Sequence, residues 1–256
     1  MSHDAFDLTG KVALVTGSSK GIGEAIAFAL ARQGAHVVVS SRKMDHIQPV
    51  AEAIQASGYK ALAIPCNVGD AEQRKHLISE IENTLRGIDI LVNNAATNPV
   101  YGALEAMDAE LFDKIMEVNV KAVWHLSNLC LPSMQQRGGG SIINISSVEG
   151  LHPGLGLGLY STSKAALIML TKNQANEWGK YGVRCNTICP GLIKTKFSAA
   201  LWQNEALTSR LVNKLPSGRI GQPQDIEGLA LLLASPAGDY LTGGDYVVDG
   251  GYLISH

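Results

Sequence analysis

This sequence is sparing in the features that mark several classes of protein. Its 256 residues include four cysteines, Cys66, Cys130, Cys185 and Cys189, with no Cys-x-x-Cys pair. That excludes a disulfide framework and a zinc-ribbon spacing, and points to reduced thiols in a cytoplasmic setting, with no metal site expected. Cys185 and Cys189 flank an expected strand and read as packing residues. There is no basic excess either: 21 Lys+Arg against 23 Asp+Glu give a net charge of −2, so nothing gathers nucleic acid. No apolar run approaches the length that spans a bilayer, so no membrane partner is expected. Met1-Ser-His-Asp begins without the basic and apolar leader of a secreted chain. Internal repeats and low-complexity linkers are also missing. The length suits one α/β domain over 1–256 with a full core.

What is present is an alternation of strand-like and helix-like segments. Short apolar runs predict strands at 11–16, 36–41, 60–65, 88–93, 141–146, 183–189 and 245–248. Helical patterns fall between them near 21–33, 46–57, 70–85, 108–130, 160–179 and 223–234. The expected fold class is α/β, a doubly wound parallel sheet of about seven strands that binds ligands at the strands' C-terminal ends.

The first strand, Lys11-Val-Ala-Leu-Val-Thr16, runs straight into Gly17-Ser-Ser-Lys-Gly21-Ile-Gly23 and a helical pattern. Glycines at such a junction permit a tight turn and a close backbone approach to a pyrophosphate, whose charge suits a helix N-terminus. The spacing is G-x3-G-x-G, not the G-x-G-x-x-G of many dinucleotide folds. The competing reading is a glycine-rich turn with no ligand.

Further along, Ser147, Tyr160 and Lys164 form a Ser-x12-Tyr-x3-Lys run. Tyr160 and Lys164 lie four apart in a helical segment and so share one face. A nearby ammonium is expected to lower the tyrosine pKa from its usual value of about 10. Such a phenol can give a proton to a forming alkoxide or take one from an alcohol. Ser147 closes the strand-like run Ser141-Ile-Ile-Asn-Ile-Ser-Ser147, where a hydroxyl can hold a substrate carbonyl. A Tyr-x3-Lys pair also arises by chance, and its weight comes from the neighbouring motifs.

With these motifs in hand the chain resembles the short-chain dehydrogenase/reductase family, from about Leu8 to the C-terminus. Thr16-Gly17-x3-Gly21-Ile22-Gly23 is similar to the family's cofactor loop and Asn93-Asn94-Ala95-Ala96 to its motif after the fourth strand. Asn119, Ser147, Tyr160 and Lys164 match its catalytic tetrad in order and approximate spacing. Pro190-Gly191-Leu192-Ile193-Lys194-Thr195 and Asp249-Gly250-Gly251 match as well. The resemblance implies an NAD(P)-dependent oxidoreductase acting on CH–OH groups. In it Tyr160 is the acid/base, Ser147 steadies the carbonyl oxygen, Lys164 tunes Tyr160 and binds the nicotinamide ribose, and Asn119 holds a water. It also implies cofactor contacts from Gly17, Ser19, Lys20, Gly21, Ile22, Gly23, Ser41, Arg42, Asn67, Val68, Asn94, Ala95, Tyr160, Lys164, Pro190, Ile193 and Thr195. Asn67 stands where the family commonly has Asp, and Ala96 where it has Gly. A non-catalytic dinucleotide sensor or scaffold is the reading from a different class; the complete Ser147, Tyr160 and Lys164 set speaks against it.

The end of the second strand bears on the cofactor. Relatives that bind NAD place an acid there for the ribose hydroxyls, whereas this chain has Ser41 followed by Arg42 and Lys43. A hydroxyl and a guanidinium accommodate a 2′-phosphate, and Lys20 is a further cation for it. NADP(H) is the expected cofactor, with NAD possible; the alternative is that Lys20, Arg42 and Lys43 are solvated surface charges.

Asn98, Glu149, His152 and Trp202 are expected at the substrate pocket. His152 also reads as an ordinary loop histidine, and Trp202 as an anchor for a lid. The Leu-Gly repeats before Leu159 predict a pliable apolar wall, and an amphipathic stretch from Phe197 to Leu215, within an insertion near 191–216, predicts a lid. Asn93-Asn-Ala-Ala-Thr-Asn-Pro99, Pro190-Gly-Leu-Ile-Lys-Thr-Lys-Phe197 and His36-Val-Val-Val-Ser-Ser-Arg-Lys43 resemble the NADPH-dependent carbonyl reductase branch, with 3-oxoacyl thioester reductases as the alternative. Animal members of that branch tend to end in a peroxisomal address, which Ile254-Ser-His256 does not match. The resemblance implies a homotetramer, with a dimer as the alternative. Its helical contacts are expected to draw on Met116, Val120, Val123, Leu126, Leu167, Ile168 and Leu170, unless these are core.

Overall fold

A computed structural model describes residues 5–202, 209 and 212–255. Seven parallel strands form one sheet: β1 (Val12–Thr16), β2 (His36–Ser40), β3 (Lys60–Ala63), β4 (Ile90–Asn93), β5 (Gly140–Ile145), β6 (Val183–Pro190) and β7 (Asp245–Val248). The spatial order is β3-β2-β1-β4-β5-β6-β7. Winding proceeds outward in both directions from the β1–β4 boundary, where Ala13, Leu14 and Val15 pair with Ile90, Leu91 and Val92. Crossovers leave on opposite faces there, which opens a crevice at the strands' C-terminal ends.

Alternation of side chains along each strand builds two cores. Ala13 and Val15 face α1 (Gly21–Arg32), α2 (Met44–Ala56) and α8 (Glu227–Ala234), against Ile26, Leu30, Ile47 and Leu233. Val12 and Leu14 face α3 (Ala71–Leu85), α5 (Ala122–Gln136) and α6 (Gly158–Trp178), against Leu77, Ile81, Leu126 and Trp178. All four cysteines are buried and free. Three of them, Cys66, Cys130 and Cys185, sit in the second core.

The expected elements are present with shifted ends. β3 stops at Ala63, short of the predicted 65, because Pro65 cannot donate to the ladder. Helix α3 starts after Asp70, whose carboxylate accepts from the N–H groups of Glu72 and Gln73. The single helix expected over 108–130 is instead α4 (Ala109–Met116), a π-helical turn (Glu117–Lys121) and α5, which continues to Gln136. That turn carries Asn119. Of the apolar residues expected to face a partner, Val123, Leu126, Leu167 and Ile168 are core. Met116, Val120 and Leu170 line a surface groove with Trp124.

Beyond β6 the chain forms a short turn, α7 (Ala199–Trp202). The remainder of the expected lid, at 203–208 and 210–211, lies outside the described residues, as do Met1–Asp4 and His256. Among the described residues no helix is long and apolar enough to cross a membrane. None of their His, Cys, Asp and Glu side chains cluster in a group of three that could hold a metal.

Candidate active site

The turn from β1 into α1 is braced from behind. Thr16 Oγ1 donates to the Val92 carbonyl at 3.2 Å and accepts from the backbone N–H groups of Asn94 (3.0 Å) and Ala95 (3.1 Å). Asn94 Nδ2 donates to the carbonyls of Thr16 (2.9 Å) and Gly17 (3.1 Å). Both hydrogens of that amide are therefore committed to the loop, and Asn94 is a brace of the cofactor turn. Ser18, fully buried, donates to the Val15 carbonyl at 2.8 Å and accepts from Ser40 N at 2.9 Å. Gly17 and Gly21 have φ of 64° and 66°, a region that suits glycine. A methyl group on Gly23 would lie 2.7 Å from the Gly17 carbonyl oxygen and closer still to Asn94 Nδ2. The first turn of α1 has no side-chain cap at Lys20, so its N–H groups are offered to an anion. This cradle fits the pyrophosphate of a dinucleotide, with Ser19, Lys20 and Ile22 on the same turn.

Ser41 directly follows β2, and its carbonyl accepts from Cys66 N at 2.9 Å. Arg42 and Lys20 are both exposed. Asn67 Oδ1 accepts from Gly69 N at 3.2 Å, which leaves one lone pair for an adenine amino group. The Val68 carbonyl accepts from the buried Arg74, whose Nε donates to His125 Nδ1 at 2.9 Å. On the other side, Pro190 ends β6, Ile193 is buried, and a methyl on Gly21 would lie 3.1 Å from Thr195 Cγ2. The loop after β6 thus closes over the glycine turn.

Ser147 ends the segment after β5 and packs against α6. A methyl group on Gly150 would lie 2.8 Å from the Lys164 carbonyl carbon, so glycine alone permits the approach. Ser146 Oγ reinforces it by donating to the Lys164 carbonyl at 2.9 Å. Ser147 Oγ accepts from Glu149 N at 3.1 Å and neighbours the Tyr160 phenol, whose ionised form it favours. Lys164, 2 % exposed, donates from Nζ to the Ile145 carbonyl at 2.8 Å and sits 5.5 Å from the Tyr160 ring centroid.

The expected depression of Tyr160 is corrected here. Burial pushes its phenol well above the ordinary value; the Ser147 hydrogen bond opposes this and the Glu149 carboxylate adds to it. Burial also lowers Lys164 to about 8. Desolvation outweighs attraction because both groups leave water together, and the ammonium points at a strand carbonyl. In the protein alone Tyr160 is held as a phenol, a proton donor.

Asn119 is buried, and its side chain is fully occupied as a donor. Nδ2 donates to the Thr97 carbonyl (3.0 Å) and Ser163 Oγ (3.0 Å), and Oδ1 accepts from Thr97 N at 2.8 Å. Ser163 in turn donates to the Tyr160 carbonyl at 2.7 Å. Asn119 thereby ties the loop bearing Asn98 to the helix bearing Tyr160. The sequence did not single out Ser18, Thr97, Ser163 or Gly150, because their part depends on contacts between distant segments.

The mouth of the site is apolar. The Gly102 N–H donates to the Gly156 carbonyl at 3.1 Å, which joins the loop after β4 to the Leu-Gly loop. Exposed Tyr101, Leu104, Leu151 and Leu155 occupy these two loops, and Phe197 stacks obliquely on Tyr160 with ring centroids 6.2 Å apart. Asn98 and Glu149 are half-buried, and His152 is exposed. Trp202 Nε1 donates to the Thr195 carbonyl at 2.8 Å, and its ring lies under Lys194 Nζ at 5.0 Å, so it anchors the loop after β6.

A family model described as Enoyl-(Acyl carrier protein) reductase matches residues 17–253. Dehydrogenase/reductase SDR family member 4 of Oryctolagus cuniculus is 45% identical over 244 residues, covering 95% of this chain and 94% of that protein. This chain is a short-chain dehydrogenase/reductase. Membership makes it an NAD(P)-dependent oxidoreductase acting on CH–OH groups. Among solved structures, a gluconate 5-dehydrogenase from Burkholderia cenocepacia J2315 in complex with NADP and tartrate superposes with a TM-score of 0.95. It is 34% identical and covers 99% of each chain. A 7 alpha-hydroxysteroid dehydrogenase complexed with NADH and 7-oxo glycochenodeoxycholic acid gives 0.94, at 35% identity, covering 98% of this chain and 97% of that one. The same fold therefore holds either cofactor, and selection between them falls to side chains such as those at 41 and 42.

Proposed function

We propose that this short-chain dehydrogenase/reductase is an NADPH-preferring carbonyl reductase for apolar ketones or aldehydes, with Tyr160 as general acid. The observation that carries this reading is the buried Lys164, its Nζ 5.5 Å from the Tyr160 ring centroid, beside Ser147 at the foot of an apolar mouth. Reduced nicotinamide, held by the Gly17–Gly23 turn, supplies the hydride. Ser147 Oγ accepts from Glu149 N, and its own hydrogen, which favours the ionised phenol in the protein alone, turns to a bound carbonyl oxygen and steadies the developing charge. Tyr160 gives its proton to that oxygen. Lys164, held by its bond to the Ile145 carbonyl, sets an ammonium beside the phenol and stabilises the tyrosinate that forms. Asn119 fixes the helix that carries both. The apolar rim around Tyr101, Leu104, Leu155 and Phe197 favours a hydrophobic substrate.

Arg42, with Ser41 in place of an acid, supports NADPH over NADH. A second reading, reduction of 3-oxoacyl thioesters, is supported by Lys20, Lys194 and Lys196, which line one groove beside Trp202 and would suit an anionic carrier. Assembly into a homotetramer is supported by the groove of Met116, Val120, Trp124 and Leu170, and a cytoplasmic location by the reduced cysteines. The whole chain acts as one unit in this reading. The test is oxidation of NADPH and NADH against aromatic ketones, α-diketones, retinal and acetoacetyl thioester. Turnover of ketones with NADPH above NADH is expected. Acetoacetyl thioester turnover far above every ketone would transfer the assignment to the second reading, and absence of turnover despite cofactor binding would sink both.

A further inference from the structure

Arg74 is 1 % exposed, taken out of water as fully as Lys164, yet it stands on α3 and outside the Ser147–Tyr160–Lys164 site. A buried ion pair can often be exchanged for apolar side chains with no loss of stability, so stability alone gives little reason for a guanidinium here. Its contacts supply another. Nη1 donates to the Val68 carbonyl and, at 3.3 Å, to Glu117 Oε1, and Nε donates to His125 Nδ1 at 2.9 Å. An imidazole that accepts at Nδ1 is neutral, so the balancing charge comes from Glu117. The loop after β3, the π-helical turn that carries Asn119 and helix α5 all meet on this one group. The preceding residue grips the same loop. Gln73 Oε1 accepts from Asn67 N at 2.8 Å, while its Nε2 donates to the Asp70 carboxylate at 3.0 Å. Consecutive side chains of α3 therefore hold the Asn67 N–H and the Val68 carbonyl, which lie past the last pairing of β3 with β2, Ala63 with Val39. The loop also rests on the π-helical turn: a methyl on Gly69 would lie 3.6 Å from Val118 Cγ2, an ordinary contact distance.

We propose that Arg74 is a positioning residue for the cofactor, which fixes the Asn67–Val68 backbone where the adenine binds and uses the π-helical turn as its anchor. This rests on the reading that Asn67 and Val68 face the adenine. Arg74 is buried behind the loop and acts through it. A loop past the end of a strand ladder must find its fixed geometry elsewhere, and here a planar fork of donors supplies it. The anchor is itself held, because Glu117 Oε2 accepts from Lys121 Nζ at 2.7 Å while Oε1 faces Arg74. The adenine end of the cleft and the turn bearing Asn119 are thereby set against each other by one guanidinium.

Arg74→Lys keeps the charge without the planar fork, and Arg74→Met keeps an extended side chain without the charge. Glu117→Gln weakens the anchor from its partly exposed end and serves where an Arg74 variant does not fold. Each full-length protein, its folding checked by circular dichroism, is titrated calorimetrically with the two halves of the cofactor. ADP carries the adenine, and nicotinamide mononucleotide lacks it. The Kd for ADP is expected to rise about three- to tenfold in Arg74→Lys, further in Arg74→Met and about two- to threefold in Glu117→Gln. The Kd for nicotinamide mononucleotide should hold in all of them, which a general loosening of the fold would not allow. Asn67→Ala separates the inference from the reading beneath it. Weaker ADP binding in Asn67→Ala, with wild-type binding in folded Arg74→Lys and Glu117→Gln, overturns the inference, as do equal losses for both halves. Wild-type ADP binding in Asn67→Ala and in the Arg74 variants alike removes the adenine from this loop, and with it the reading on which the inference rests.

Discussion

The two halves of the cleft are built by different means. On the β1–β3 side the surfaces that face a ligand are mostly backbone: glycine φ angles, the uncapped start of α1 and loop carbonyls, with Arg42 and Lys20 exposed above them. On the β4–β6 side they are side chains, and each is held by hydrogen bonds from a distant or neighbouring segment: Asn119 by the Thr97 backbone and Ser163 Oγ, Lys164 by the Ile145 carbonyl, Ser147 by the Glu149 N–H. A backbone cradle tolerates varied side chains and can take either cofactor. A buried polar network tolerates little, since each lost partner leaves a desolvated group behind. In the function proposed above the contrast separates binding from chemistry, and substitutions on the two sides should fail differently.

The sharpest separation comes from Tyr160→Phe. It removes the proposed proton donor and also a neighbour of Ser147, while leaving the glycine turn untouched. Turnover is expected to fall by about 10³-fold, within the range for loss of a general acid. Cofactor affinity, read by quenching of protein fluorescence or by calorimetry, should stay at the wild-type level. Comparable losses in both quantities would mean that the two halves are not separable.

This same division decided what could be read in the sequence. The turn Gly17–Gly23 was legible because glycine at a strand–helix junction has a conformational reason that is local. The four-residue spacing of Tyr160 and Lys164 was legible because a helix places both on one face. The sign of the Tyr160 shift was not: it depends on how much water the fold removes, and burial outweighed the ammonium. The π-turn at Glu117–Lys121 was also hidden, since 108–130 has an unbroken helical pattern and the side-chain bonds of Asn119 reach Thr97 and Ser163 across the fold. Asn94 shows the limit in another way. Its motif position was plain, but its work as a brace for Thr16 and Gly17 required two strands to be placed side by side.

Gly23→Ala tests the backbone half. The added methyl meets the Gly17 carbonyl and Asn94 Nδ2, both held by the turn itself, so the cradle must shift. Overpacking of this kind costs about 1–3 kcal/mol of folding stability. It should lower the midpoint of denaturant unfolding and weaken cofactor binding, while the maximal rate at saturating cofactor falls much less. A loss confined to the maximal rate, with affinity intact, would contradict the assignment of this turn to binding.

The narrowest effect is expected at Arg42, and it bears on selectivity alone. Arg42 is exposed and stands one residue past Ser41 at the end of β2, so removing it leaves no buried group unpaired. A guanidinium–phosphate hydrogen bond contributes about 1.5–3 kcal/mol, which corresponds to roughly ten- to a hundredfold in affinity. In Arg42→Ala the KM for NADPH should rise by that factor, and the KM for NADH should hold because the 2′-phosphate is absent from it. Raising the salt concentration should narrow the difference between wild type and variant, as an exposed charge is screened. Equal effects on both cofactors would place Arg42 on the shared adenosine rather than on the phosphate, and the cofactor preference would then have to come from Ser41 and Lys20.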